Sequence, residues 1–569
     1  MKMTGARIVI ECLVERGVDT VFGYPGGTVL NIYDELFKNA DRIRHILTSH
    51  EQGAAHAADG YARATGRPGV VIATSGPGAT NLVTGIATAY MDSSPLIAIT
   101  GNVSSQLLGK DSFQEIDIAG VTMPITKHNF IVKHVELLAP TLRKAFAIAV
   151  SGRPGPVLVD ITKDVTALEA EWAPETAEEA ETLMRGCMAK CPDLAGGTEL
   201  DEAARLITAA RRPFLYAGGG VIAAGASEQL RELAERLHAP VALSLMGQGA
   251  LGSTHPLFTG MIGMHGTVAS NMAASRADLI IAVGARFSDR VVGDTVGFAK
   301  RATVLHIDID PAEINKNVPS RAFLVGDLRT SLAGLLERIP GRGASEWNGD
   351  IEAWKREHPV AHDALSTPPG FIHPRRIIEA VHDRVGDNTV VTTEVGQHQM
   401  WVAQFYPFSK PRSFISSGGL GTMGFGTGAS IGVQVALPDR RVVHFAGDGS
   451  FRMNLTELAT ISHYRLPILI MVMNNGTLGM VRQWQRLFYG NRFAQTTLDR
   501  PPDFVKLADA YGIPGWRASD EAALGSALDA ALASGGPALI DCRIDIDEAV
   551  LPMVPSGRPM EEQILESRA

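Results

Sequence analysis

The sequence predicts an α/β protein made of three successive parallel-sheet α/β domains, and three observations carry that prediction. Short apolar runs alternate with amphipathic helical stretches through three separate blocks of the chain. At 569 residues the chain is too long for one core, because hydrophobic cores rarely grow beyond about 250–300 residues before splitting. The clearest unit, Val442 to Asn475, reads strand, helix, strand, and a right-handed crossover of that kind makes its two strands parallel.

In chain order, the first domain is expected over residues 1–165, followed by an acidic, Ala/Glu/Pro-bearing linker over 166–198. The second domain covers 199–340, with a polar connection over 341–370, and the third covers 371–550. The tail, 551–569, carries Pro552, Pro555, Gly557 and Pro559, which excludes a continuous helix and leaves an ordered cover or a flexible lid.

Within the third block, the run Val442 to Ala446 ends in Gly447-Asp448-Gly449-Ser450, and the run Pro467 to Met473 stops at Asn474-Asn475-Gly476-Thr477. Parallel strands put both turns at one carboxyl edge, where open α/β folds bind ligands. Asp448 and Asn475 can therefore converge on one ion. Hard oxygen ligands suit Mg²⁺, whose remaining positions would go to phosphate, water and a backbone carbonyl near Thr477. The glycines beside Asp448 let a diphosphate approach the backbone. Asn454 is expected to cap the intervening helix, with Glu457 three residues on completing a capping box. The bland alternative is a solvated turn and an ordinary strand end, and the paired asparagines after one crossover weigh against it. The segment resembles the thiamin diphosphate signature, GDG followed by NN, of the thiamin-dependent decarboxylases and carboligases.

In the first block, Thr48-Ser49-His50-Glu51 precedes an alanine-rich helix through Arg63, Val70 to Ala73 reads as a buried strand, and Ser75 to Asn81 turns into another helix. A glutamate opening a helix is commonly a dipole-stabilising cap, and a catalytic carboxyl is the other reading. His50 to Gly66 and Ile72 to Asn81 are similar to the pyrimidine-binding domain of the acetohydroxyacid (acetolactate) synthases. So are Tyr24-Pro25-Gly26-Gly27, Phe113-Gln114-Glu115 and Gly152-Arg153-Pro154 through Lys163. The resemblance spans nearly the whole chain. In the third, diphosphate-binding block it continues through Val395 to Trp401, Gly419 to Gly426 and Gly479 to Trp484.

The resemblance implies a role for each matching residue. Glu51 would hydrogen-bond the cofactor's pyrimidine and set its tautomer. Gly27 would shape the reacting centre, with Gln114 close by, Phe113 and Met480 lining an acceptor pocket and Lys163 at its entrance. Met423 would be the apolar wedge that bends the cofactor, core packing being the alternative for a methionine. The other thiamin diphosphate contacts implied are Val395, Gln397, His398, Gly421, Gly447, Asp448, Gly449, Ser450, Asn475 and Met480. Trp484 follows Met480 by four positions, one helical face, and would select the acceptor; a core aromatic is the bland reading.

The central block carries Gly218-Gly219-Gly220 after a strand, and the Gly218, Gly220, Ala223 spacing passes as a dinucleotide fingerprint. Alone it is weak, because no ribose-binding acid follows about 20 residues on. Met264-His265-Gly266-Thr267, Gly284 to Arg290 and Asp308-Ile309-Asp310 resemble the FAD site of the FAD-containing acetohydroxyacid synthases, and with Arg153 they would contact a structural FAD without net redox. Arg286 and Arg290 would face flavin or phosphate, with Asp289 nearby; a surface ion-pair network with Asp289 and Asp294 is the alternative. Two departures stand out. Thr427-Gly428-Ala429-Ser430 replaces the family's common Leu-Pro-Ala-Ala, and Ser288 stands where a second Asp is frequent. Glycine in place of proline at a helix start loosens a preset φ.

The resemblance thus implies a catalytic subunit dependent on thiamin diphosphate, Mg²⁺ and FAD. It would decarboxylate pyruvate and join the two-carbon unit to pyruvate or 2-ketobutyrate, giving 2-acetolactate or 2-aceto-2-hydroxybutyrate for valine, leucine and isoleucine synthesis. A homodimer or homotetramer is implied, with a possible small regulatory subunit. A pyruvate oxidase or simple decarboxylase, or a cofactor-binding subunit without turnover, are the alternatives. The formal charge of −9 and pI near 6.0 leave no footprint for nucleic acid or an anionic membrane. No run approaches the ~20 apolar residues of a span, and charges stand where a signal peptide needs its apolar core, so a cytoplasmic protein is expected. Cys187 and Cys191 lack a second ligand pair, and His50 and His56 are six apart, not the i, i+4 of a zincin helix.

Overall fold

The computed structural model describes residues 1–188, 196–295, 297–360 and 367–566. A short antiparallel pair, β1 (Lys2–Thr4) with β8 (Glu169–Glu171), accompanies three six-stranded sheets in which every pairing is parallel. The first sheet uses β2 (Thr20–Tyr24), β3 (Arg44–Leu47), β4 (Gly69–Ala73), β5 (Leu96–Asn102), β6 (His128–Val132) and β7 (Pro156–Thr162), in spatial order β3-β2-β4-β5-β7-β6. The second uses β9 (Pro213–Ala217), β10 (Val241–Leu243), β11 (Phe258–Met261), β12 (Leu279–Val283), β13 (Thr303–Asp308) and β14 (Ala322–Val325), in order β11-β10-β9-β12-β13-β14. The third uses β15 (Thr389–Thr393), β16 (Phe414–Ile415), β17 (Arg441–Gly447), β18 (Ile468–Asn474), β19 (Gly515–Ala518) and β20 (Ala538–Arg543), in order β16-β15-β17-β18-β20-β19.

The strands form where apolar, β-branched runs are covered on both faces. Leu279–Val283 and Ile468–Asn474 are buried at every position, as strands sandwiched between helix layers must be. The first and third sheets share one strand order. The central sheet instead has the 3-2-1-4-5-6 order of dinucleotide-binding folds. Each sheet therefore has a switch point where the chain reverses direction across the sheet: β2/β4, β9/β12 and β15/β17.

The first and third domains are joined by two helices of small residues, Glu51–Thr65 and Phe425–Ala436. A Cβ at Gly432 would overlap the carbonyl of Ala57, and one at Gly428 would lie 2.8 Å from both the Gly53 carbonyl oxygen and His56 Cβ. Gly428 is thus inside the helix, and what it supplies is close approach between backbones, where the sequence suggested a loosened helix start. Gly432→Ala should cost about 1–3 kcal/mol, the usual range for overpacking a filled contact, and a thermal melt of the variant measures it.

Two sequence expectations change, and the two readings of the tail narrow to one. The stretch after Val165 opens with β8, and Ala170 and Trp172 are buried in the first domain's core, so the chain stays on that domain before the exposed Ala177–Met188 helix. Cys191, and with it the Cys187–Cys191 pair, lies outside the described residues. Residues 346–357 are not an open connection but a helix; Trp347 and Ile351, four apart, are buried on the central domain, and Trp347 donates to the Pro213 carbonyl at 3.0 Å. The tail is an ordered cover on the central domain: the Val554 amide donates to the Met264 carbonyl at 2.7 Å, and Met560 is buried. Among the described residues no helix is long and apolar enough to cross a membrane.

Candidate active site

At the third sheet's carboxyl edge, β17 and β18 run in parallel with Gly447 opposite Met473, which sets Asp448 beside Asn475. The Asp448 carboxyl is buried, and burial pushes it up to about 7 although the Asn475 amide donates to it. Its Oδ2 has no hydrogen-bond partner among the described residues. A buried carboxylate oxygen with nothing donating to it is costly unless a proton or cation takes the place. Asn475 accepts from the Thr477 amide at 3.2 Å and donates to Gln397 at 3.1 Å, while Gln397 donates to Gln483 at 3.0 Å and to the Glu548 carbonyl at 2.8 Å. The Thr477 hydroxyl is committed to the Thr496 carbonyl, and Ser450 donates to the Gly447 carbonyl at 3.2 Å. Among the described residues no group of three or more His, Cys, Asp or Glu could hold a metal. The donor set is one carboxylate, one amide and backbone, which fits a hard ion whose remaining ligands come from phosphate and water.

His398 lies over the same turn. Its ring is fully buried, held neutral with a pKa pushed down to about 3 by burial, and its Nε2 is unpartnered. A Cβ at Gly447 would come within 2.8 Å of His398 Nδ1, so only glycine fits between ring and turn.

The first sheet's carboxyl edge collects Gly27 after β2, Glu51 after β3, Gln114 beyond β5 and Lys163 directly after β7. Glu51 opens its helix, but His50 is the N-cap, its ring accepting from the Gln52 amide at 3.1 Å. The Glu51 carboxyl instead accepts from Asn81 at 2.9 Å, above Gly78. Gln114 holds a left-handed φ of 61° against Gly76. Phe113 is 88% exposed.

The expected local capping box does not form. Asn454 donates to the Gly424 carbonyl at 3.1 Å, and the buried Glu457 accepts from the amides of Ser49 (3.1 Å) and His50 (3.0 Å) and from the Thr460 hydroxyl (2.6 Å). Glu457 thus fixes the two residues before Glu51, from the other end of the chain.

A cavity of about 1560 Å³ runs where the three domains meet. The first domain lines it with Arg153, the central domain with Gly218, Gly219, Gly220, Met264, His265, Gly284, Arg286, Asp289, Arg290 and Asp308, and the third with Val395, Gly421, Met480 and Trp484. The glycines after β9 and β12 meet at that sheet's switch point, where a Cβ on Gly220 would sit 2.8 Å from Gly284 Cα. Among the described residues Arg290 lies 3.7 Å from Asp289 on an exposed surface, a weak pair by its distance and exposure. Burial pushes Asp308 up to about 6. Gly266, Thr267 and Asp310 stand off this lining. Thr267 caps the Val268–Arg276 helix, and Asp310 pairs with Arg153 at 3.1 Å. Met480 and Trp484 share one face of the Gly479–Phe488 helix, and Trp484 is only partly buried. Gly27, Glu51, Phe113, Gln114, Lys163 and Asp448 do not line this cavity.

Three family models match consecutive parts of the chain: the thiamine pyrophosphate enzyme N-terminal TPP binding domain over 3–121, the central domain over 200–335, and the C-terminal TPP binding domain over 394–542. A probable acetolactate synthase large subunit of Methanocaldococcus jannaschii is 48% identical over 566 residues, covering 98% of this chain and 94% of its own length. The acetolactate synthase large subunit of Parasynechococcus marenigrum is 47% identical, covering 99% and 91%, and the acetolactate synthase isozyme 3 large subunit of Escherichia coli strain K12 is 45% identical, covering 99% and 98%.

The chain belongs to the acetolactate synthase large-subunit family. It is an enzyme of the thiamine pyrophosphate-dependent acetolactate synthase class, and the first and third sheets are its two TPP-binding domains. Two residues at this site carry no role in the sequence pattern: Asn81, partner of Glu51 at the end of the Ile72–Asn81 stretch, and Glu394, just before the Val395–Trp401 stretch. Glu457 carried a visible signal that pointed to the wrong helix.

Proposed function

We propose that the chain decarboxylates pyruvate and joins the two-carbon unit to a second 2-keto acid, giving 2-acetolactate from pyruvate and 2-aceto-2-hydroxybutyrate from 2-ketobutyrate, in the cytoplasmic synthesis of branched-chain amino acids. What supports this reading is that Met480 and Trp484, which would bound an acceptor pocket, line a cavity together with Val395 and Gly421. Thiamin diphosphate, when bound, supplies the acidic carbon and electron sink that decarboxylation of a 2-keto acid requires. Asp448, Asn475 and the Thr477 carbonyl would hold Mg²⁺ on its diphosphate, with Gly447, Gly449, Ser450, Gln397 and His398 around that end and Met423 beneath its bend. Glu51 would hold a proton at the pyrimidine, with Gly27, Gln114 and Lys163 shaping the substrate side.

FAD fits the central half of the cavity. The glycine cradle at the switch point accepts a pyrophosphate, and Arg286 and Arg290 offer charge to it. A second copy of the chain would complete each site. Its support is that Glu51 and its neighbours stand apart from the Met480–Trp484 cavity and that Phe113 is bare on the surface. The relatives are named large subunits, and we extend a small-subunit partner to this chain.

Acceptor choice tests the pocket. One methylene in an apolar pocket contributes about 1–3 kcal/mol of discrimination. Trp484→Leu should lose most of its preference for 2-ketobutyrate while still forming acetolactate. A competition assay at fixed substrate ratio measures both products, and an unchanged ratio in an active variant would remove Trp484 from the pocket.

A further inference from the structure

Glu394 follows β15 and immediately precedes Val395-Gly396-Gln397-His398. Its carboxyl is fully buried. One oxygen accepts from the Gly424 amide at 2.6 Å, and the other accepts from the Thr427 amide at 3.0 Å and the Thr427 hydroxyl at 3.1 Å. Gly424 is the N-cap of the Phe425–Ala436 helix and has no side chain with which to cap it. Glu394 therefore supplies, from a neighbouring strand, the acceptor that this helix start lacks. Gly424 is fixed on both sides, its amide to Glu394 and its carbonyl to Asn454 at 3.1 Å. Met423 is the next residue upstream.

Among the described residues no cation neutralises this carboxylate. The titratable groups facing it are His444, whose Nε2 is 3.8 Å away, and His398, bonded to the Glu394 backbone; burial keeps both rings neutral, each with a pKa pushed down to about 3. The helix-start amides and the Thr427 hydroxyl are its only compensation. Position 424 cannot supply its own cap, because its φ is 90° and a Cβ there would meet Met453 Cβ at 3.1 Å, so the carboxylate reaches across from β15 and ties two separate loops together at the β15/β17 switch point.

We propose that Glu394 is a positioning residue for thiamin diphosphate, holding Met423 and the Val395–His398 turn in the one relative arrangement that grips the cofactor. The proposal rests on reading Met423 and that turn as cofactor contacts. Thr427, one of the sequence's departures, is then Glu394's partner.

The test uses the full-length chain, with thiamin diphosphate and Mg²⁺ titrated by fluorescence, melting temperature measured alongside, and amide hydrogen exchange followed over residues 420–427. Glu394→Gln keeps the shape but turns one acceptor into a donor. It should raise the dissociation constant for thiamin diphosphate roughly ten-fold and speed exchange at Gly424 and Thr427, with a near-unchanged melt. Thr427→Val, which removes one hydroxyl, should show the same changes at a few-fold. Burial pushes the Glu394 carboxyl up to about 7, so acidification through that range protonates it. Wild-type affinity should then weaken more steeply than that of Glu394→Gln. Wild-type affinity, pH response and exchange in Glu394→Gln would overturn the proposal, as would a lowered melt with unchanged affinity. Should Glu394→Gln not fold, unchanged affinity and exchange in Thr427→Val would overturn it. A wild-type chain that binds no thiamin diphosphate would overturn the cofactor reading itself, and the proposal with it.

Discussion

Glu51→Gln should fold normally and lose about 10²–10⁴-fold in acetolactate formation, the scale of a positioned acid–base group, or roughly 3–5 kcal/mol in the barrier. The substituted amide keeps an oxygen to accept the Asn81 hydrogen bond, and the Ser49 and His50 amides remain tied to Glu457, so the helix start stays in place. On the proposed function, what would be lost is the group that exchanges a proton with the pyrimidine. Exchange of the thiamin C2 proton, read by quenching and NMR, isolates that step from product release. Wild-type exchange in the variant would remove Glu51 from proton transfer.

Asp448→Ala should abolish turnover by removing the carboxylate of the proposed Mg²⁺ site. It deletes the buried carboxylate whose Oδ2 is unpartnered, and no other carboxylate of the described residues forms a cluster able to replace it. Losing a direct ligand should exceed the roughly 10–100-fold typical of a lost outer-shell partner, visible as weakened Mg²⁺ and thiamin diphosphate binding in titration. The same variant tests the shared site. Mixing inactive Glu51→Ala and Asp448→Ala chains should restore about a quarter of wild-type activity, because random exchange makes half the dimers mixed and each mixed dimer has one intact site. No recovery after verified subunit exchange would place both residues in one chain's site.

Much of this fold is legible in local pattern. Alternation of buried strands and amphipathic helices reports three parallel sheets, and Gly447-Asp448-Gly449 with Asn474-Asn475 reports a shared edge because chirality constrains a single crossover. Strand order is not legible, since identical local patterns serve both the order of the outer sheets and that of the central one. Long-range partners are hidden for the same reason. Glu457 has the spacing of a local capping box, yet Asn454 is taken by Gly424 and the carboxylate reaches residues more than 400 positions away. Glu394 carries no spacing signal, because what makes it consequential is a helix start brought to it by the sheet. The short Glu346–Glu357 helix shows only two core residues, too few to outweigh its polar surroundings. At the candidate site, residues that directly follow a strand, such as Asp448 and Lys163, lie at their sheet's carboxyl edge, whereas Gly266, Thr267 and Asp310 stand off the cavity.

The most direct test of the account is product identification with purified chain, thiamin diphosphate, Mg²⁺ and FAD. Pyruvate alone should give 2-acetolactate with one CO₂ released per product, and adding 2-ketobutyrate should divert the flux to 2-aceto-2-hydroxybutyrate. Acetaldehyde or acetate as the main product, or no turnover in chain that has bound its cofactors, would contradict it.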